Sequence, residues 1–208
     1  MEILQLPLGP LQTNCYILIC QETMQATVID PAWDGRNIAA TLTEKGVDLT
    51  HILITHSHFD HVGGLAQLKE EVPVPIYMHS EDVPMLQQSP MSAAFFGMTI
   101  PTPPPPDNLI NEGDVIEVGR LKLDVLFTPG HAPGHVSYYL ADHNVIFSGD
   151  VLFQQSIGRT DLPGCDHALL MESIREKLLT LPDETHVLSG HGPATTIGQE
   201  KGWNPFLM

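Results

Sequence analysis

His51-Ile52-Leu53-Ile54-Thr55-His56-Ser57-His58-Phe59-Asp60-His61 runs from an apolar, strand-like stretch straight into four potential metal ligands. Zn²⁺ and similar divalent ions take imidazole nitrogens and carboxylate oxygens, and residues 56–61 offer three of the first and one of the second. If the chain stays extended beyond the strand at 51–54, His56 and His58 point the same way, because strand side chains repeat every second residue. A helix opening at Asp60 and His61 then turns those two side chains back across the same cavity, so one short peptide can serve two ions. A polar surface turn is the plain alternative, but a turn rarely needs three histidines.

The 208 residues fit one domain, since single cores grow to about 250 residues before they split. No segment approaches the roughly 18 unbroken apolar residues of a membrane span. The start, Met1-Glu2-Ile3-Leu4-Gln5, lacks the basic opening and small-residue cleavage site of a secretory signal, so a cytoplasmic location and no membrane partner are expected. Cys15 and Cys20 on one strand would lie about 16 Å apart, beyond the about 7 Å a disulfide spans. With Cys165 they read as free thiols. Asp and Glu number 25 against 9 Lys and Arg, a formal net charge of −16. That surface repels phosphate backbones and excludes nucleic acid as a partner; oligomeric state is left open.

Strands are expected at 3–8, 14–19 and 26–29, the last closed by Asp30-Pro31. Asp34 reads as an N-cap for a helix that Gly46 ends, and a second helix carries Leu65, Leu68 and Val72. A strand at 74–78 completes an alternating α/β rhythm. Residues 80–107 break it: the density of Pro, Met and Phe predicts a loop folded over the body, either near the mouth of a site or a packed surface loop without that role. From Val115 the pattern returns, with strands at 121–127, 136–140, 145–147 and 186–188 and a helix through Leu169–Leu181. Two similar halves, two sheets face to face with helices outside, satisfy this pattern within a single unit, 1–208.

Three more candidate ligands follow strands. Gly130-His131 comes after the strand ending at Phe127, Gly149-Asp150 after the one ending at Phe147, and Gly190-His191 after the one ending at Leu188. Strand ends on one sheet edge converge, as ligand positions do in other α/β proteins. Together with Thr13-Asn14-Cys15-Tyr16 and Val28-Ile29-Asp30-Pro31, these pieces resemble the metallo-β-lactamase superfamily, in its type II glyoxalase (hydroxyacylglutathione hydrolase-like) branch. Gly158-Arg159-Thr160-Asp161-Leu162-Pro163-Gly164 and the short C-terminal tail are similar to the short single-domain bacterial members, which lack the helical glutathione-binding region.

The resemblance implies an α/β fold, an αββα sandwich of two mixed β-sheets flanked by helices, with the site on one edge. It implies two divalent metal ions, zinc first, with iron or manganese also accepted. His56, His58 and His131 would hold one, Asp60, His61 and His191 the other, and Asp150 would bridge them. Asp60 is also the expected catalytic acceptor of a proton. Asp30, His135, Arg159 and Asp161 are candidates to orient ligands or touch substrate. For Arg159 and Asp161 the alternative is a salt bridge that closes a loop; for His135 it is bracing of backbone groups. The implied activity is hydrolysis of a small-molecule thioester such as S-D-lactoylglutathione. A mono-iron glutathione persulfide dioxygenase using His56, His131 and Asp150, another ester or lactone hydrolase, and a non-catalytic metal-stabilised scaffold stand as the alternatives.

Overall fold

The computed structural model describes residues 1–207. Three strands open the chain: β1 (Glu2–Leu8), β2 (Thr13–Cys20) and β3 (Gln25–Ile29). Helix α1 (Gly35–Lys45) follows, capped by the Asp34 side chain on the Asn37 N–H and closed by Gly46 in the left-handed conformation. Then come β4 (Asp48–Leu53), a single helical turn α2 (Phe59–Val62), α3 (Leu65–Glu71) and β5 (Ile76–His79).

Residues 80–107 are not one loop. Helix α4 (Val83–Phe95) occupies half of the stretch, with Pro90 inside it. Pro84 lies in the first turn, where its missing N–H has no partner to lose. Pro90 leaves the Leu86 carbonyl without its helical donor, and the Ser89 hydroxyl donates to that carbonyl at 2.8 Å. Proline density alone overlooked this substitution of a side-chain donor for a backbone one. The stretch does reach the site mouth, through Ser92, Phe96 and Met98.

The second half holds β6 (Asn108–Ile110), β7 (Val115–Val118), β8 (Leu121–Phe127), β9 (Val136–Leu140), β10 (Val145–Gly149) and a two-strand ribbon, β11 (Leu152–Phe153) and β12 (Ser156–Ile157). Helix α5 (His167–Ser173) runs into a π turn at Ile174–Leu178, and β13 (His186–Ser189), β14 (Thr195–Thr196) and α6 (Ile197–Trp203) complete it. One sheet has the order β1-β2-β3-β4-β5-β6, the other β14-β13-β10-β9-β8-β7. Both mix parallel and antiparallel pairs, so the expected αββα sandwich is the observed one.

Alternation along β2 shows how the layers are built. Cys15, Ile17 and Ile19 join the layer under α1 and α3, whereas Tyr16, Leu18 and Cys20 join the layer between the sheets. Each such Ile or Leu withdrawn from water contributes about 1.5–3 kcal/mol. A third layer, with Ile146, Val187, Leu170, Leu178 and Ile197, packs α5 and α6 on the outer face of the second sheet. Tyr138 turns inward, fully buried, and donates to the Ile54 carbonyl at 2.8 Å, so its hydroxyl serves the join between sheets.

Candidate metal centre

The expected ligands all lie just past strands: β4 leads to 55–61, β8 to His131, β10 to Asp150 and β13 to His191. Backbone bonds tie these exits together across the two sheets. Val136 N–H donates to the Thr55 carbonyl at 2.9 Å, Asn14 N–H to the Gly190 carbonyl at 2.7 Å, and Gly190 N–H to the Gly149 carbonyl at 2.8 Å. The Asn14 amide and the Tyr16 hydroxyl both donate to the Ser189 carbonyl, at 2.9 and 2.7 Å. The Thr13-Asn14-Cys15-Tyr16 string therefore clamps the His191 loop.

All seven side chains converge. One cluster of ligand atoms comes from His56, His58 and His131, another from Asp60, His61 and His191, each with its atoms within 4.8 Å of one another. Asp150 lies between them. Its Oδ1 is 3.4 Å from His61 Nε2, and its Oδ2 is 3.5 Å from both His131 Nε2 and His191 Nε2. Asp60 Oδ2 is 3.1 Å from His191 Nε2 and 3.7 Å from His61 Nε2. His61 Nε2, His131 Nε2 and Asp150 Oδ1 are buried without a hydrogen-bond partner. Buried polar atoms are normally paired. Spacings near 3.4 Å are long for hydrogen bonds, but they suit two atoms sharing one tetrahedral ion, given ligand bonds of about 2.0–2.2 Å. The residues present fit divalent metal ions.

Electrostatics divides the histidines. Burial, reinforced by neighbouring histidines, holds His56 well below its ordinary pKa and lowers His58 to about 3. Both are therefore neutral at pH 7, the form that ligates. Burial also works against charge on His61 and His191, but attraction from the Asp150 and Asp60 carboxylates outweighs it and raises both. In return Asp60, which burial alone would raise, is held at about 2 by His61 and His191, and Asp150 is held far below the carboxylate range. Protons on His61 and His191 sit where the two carboxylates demand positive charge.

The residues behind the ligands divide between orienting ligands and bracing loops. Asp30 accepts from Thr55 N–H at 2.7 Å, the Thr55 hydroxyl at 2.6 Å and His61 Nδ1 at 2.9 Å, which aims His61 Nε2 at the cluster. His135 is fully buried and accepts the Asp150 N–H on Nε2 at 3.1 Å, so it braces backbone. Arg159 orients His131 through its carbonyl, 2.9 Å from Nδ1, while its guanidinium pairs with Asp161 at 2.7 and 2.8 Å on the surface. The side chains of Arg159 and Asp161 thus form the loop-closing salt bridge.

Two contributors escaped the sequence reading. The Thr13 hydroxyl donates to Asp60 Oδ2 at 2.9 Å. Asp82, fully buried, accepts Ser57 N–H at 2.6 Å and Gly134 N–H at 2.7 Å, joining the loops that carry His58 and His131. Burial raises its pKa, and those two donors oppose the rise. The motif string around Thr13 pointed to the first; nothing in Ser80-Glu81-Asp82 distinguishes the second from a surface turn.

The centre opens into a cavity of about 570 Å³, walled by Leu11, Phe59, Phe96, Met98 and Phe153, with Arg159 its one Lys or Arg among the described residues. The metallo-beta-lactamase superfamily model matches residues 8–191. The probable metallo-hydrolase YqgX of Bacillus subtilis is 44% identical over 205 residues, covering 98% of this chain and 96% of that one. The hydroxyacylglutathione hydrolase GloC of Haemophilus influenzae is 40% identical over 209 residues, covering 100% and 98%. Among solved structures, the BLEG-1 B3 metallo-beta-lactamase superposes with a TM-score of 0.93 at 44% identity over the whole of both chains. TTHA1623 in a di-iron-bound form does so with a TM-score of 0.91 at 42% identity, covering 98% of this chain and 100% of that one. Sandwich, strand-end ligands and matched span agree: this chain belongs to the metallo-β-lactamase superfamily.

Proposed function

We propose that this protein hydrolyses thioesters at a binuclear metal centre. Two divalent ions, zinc before iron or manganese, would be held by His56, His58 and His131 and by Asp60, His61 and His191, with Asp150 between them. When bound, such ions lower the pKa of a shared water toward neutrality and polarise a carbonyl. The observation that carries the reading is the convergence of the seven side chains with three ligand atoms left unpaired.

The chain's own groups supply the rest. The Thr13 hydroxyl fixes Asp60 Oδ2, and Asp60 Oδ1 accepts no hydrogen bond from the described residues, so it is free to take a proton from attacking water. Apolar walls exclude bulk water from the reacting carbonyl. Beyond the candidate ligands, no Lys, Tyr or Cys lines the cavity to protonate a leaving group, and the Arg159 guanidinium is bound to Asp161. A thiol with a pKa of about 8.5 departs as thiolate without such a donor, whereas an amine does not. The 40% identical hydroxyacylglutathione hydrolase of Haemophilus influenzae supports the same class.

The test is thiol release from S-D-lactoylglutathione and other acyl thiols by metal-replete protein, beside oxygen uptake with glutathione persulfide. Thiol release is expected, with kcat reduced about 10³-fold in Asp60→Ala, in the range of a lost acid–base group. Oxygen uptake with one iron per chain would replace this reading by the dioxygenase. An Asp60→Ala variant that lost stability rather than turnover would indicate the scaffold.

A further inference from the structure

We infer that a second chamber beside the metal centre binds an apolar acyl chain, which makes the preferred substrate an uncharged-acyl thioester of several carbons; this rests on the thioesterase reading. The chamber holds about 460 Å³ between α4 and the loop at 162–163. Met85, Met91, Phe95 and Pro163 wall it, and no Asp, Glu, Lys or Arg among the described residues lines it. His58, Ser92, Phe96 and Leu162 line both this chamber and the main cavity, so the two adjoin at the His56–His58–His131 side of the site.

Three observations favour an apolar chain there. Volume falls within the roughly 300–1,000 Å³ of small-ligand pockets, and such pockets are lined mostly by apolar groups. Met91 and Phe95 are 76% and 87% exposed, an unusual amount of apolar surface gathered at one rim, and a bound chain would cover it. Phe96 is fixed as a partition by stacking on Phe59 at 5.5 Å, which keeps the chamber open beside His58. A charged occupant fits poorly. Glutathione carries two carboxylates, and the chamber offers no Lys or Arg among the described residues to receive them. The thiol portion therefore faces the open main cavity, and the acyl portion enters the chamber.

The experiment compares acetyl, butanoyl, hexanoyl and octanoyl thioesters of N-acetylcysteamine with their non-cleavable thioether analogues on metal-replete protein. Thioether affinity, by titration calorimetry, should rise about three- to fourfold per methylene, the factor for burying CH₂. Values of kcat/KM for the thioesters should rise in parallel. Gln88→Trp, which fills the chamber from its exposed rim, and Met91→Glu, which charges it, should flatten the thioether series. Flat affinities in the unaltered protein, or increments that survive both substitutions, would overturn the chamber. Increments in thioether affinity without cleavage of any thioester would instead uphold the chamber and remove the hydrolytic reading.

Discussion

Single side chains divide into those that would touch metal and those that aim them. The candidate ligands were legible in the sequence because each sits at most four residues past a strand beside a glycine or inside 56–61, a pattern that few other functions produce. Asp82 was not legible, because its role depends on two loops, at Ser57 25 residues before it and at Gly134 52 residues after it, meeting in space. Asp82→Ala would leave two buried N–H groups unpaired. A destabilisation of about 2–4 kcal/mol in urea unfolding is expected, together with about 10- to 100-fold weaker metal binding, as for other groups that orient ligands. Asp82→Asn keeps one acceptor and should lie between the two. Unchanged metal affinity in Asp82→Ala would mean that the loops hold their places without it. Gly190→Ala makes the complementary case: a Cβ there would lie 2.2 Å from Asp150 Oδ1 and 2.6 Å from His61 Cε1. Thiol release should drop about 100-fold, the effect of a misplaced reacting group of roughly an ångström.

At the level of elements, the strict alternation in β8 and the capped helix α1 were readable in advance. In the structure β2 is buried on both faces, whereas β8 keeps Leu121, Leu123 and Val125 buried between more exposed neighbours. Helix α4 was missed because a general rule about proline ignored a local remedy. If the Ser89 hydroxyl replaces the donor that Pro90 lacks, Ser89→Ala should cost about 1–3 kcal/mol, the penalty of an unsatisfied buried carbonyl. In a Pro90→Ala background the same change should cost much less, because the backbone N–H returns; a double-mutant cycle by thermal unfolding measures the coupling. Equal costs in both backgrounds would refute the compensation. The two-residue strands β11, β12 and β14 carried no periodicity to read. Close approach of α1 and α3 gives a separate check. A Cβ at Gly35 would lie 2.2 Å from the Gly64 carbonyl oxygen, so Gly35→Ala should lower stability by about 1–3 kcal/mol through displaced helices.

Across the whole molecule, two sheets are joined at one edge by the same residues that gather the ligands, so binding at the centre and cohesion of the sandwich are coupled. Acidic composition adds to this: Asp60 and Asp150 are ionised beside Asp30, the one guanidinium in the cavity is bound to Asp161, and imidazolium charge offsets the two carboxylates when metal is absent. Chelation should therefore lower the melting temperature, and re-addition of Zn²⁺ should restore it. Metal at about a thousandfold over its Kd would contribute about 4 kcal/mol. No helix among the described residues is long and apolar enough to cross a membrane, which agrees with the hydropathy of the sequence. The most direct measurement is metal stoichiometry by elemental analysis of the purified protein and of its Asp60→Ala and His191→Ala variants. Two ions per chain, falling to one in each variant, is the predicted result; one ion per chain in the unaltered protein, or a second ion that persists without Asp60 and His191, would contradict it.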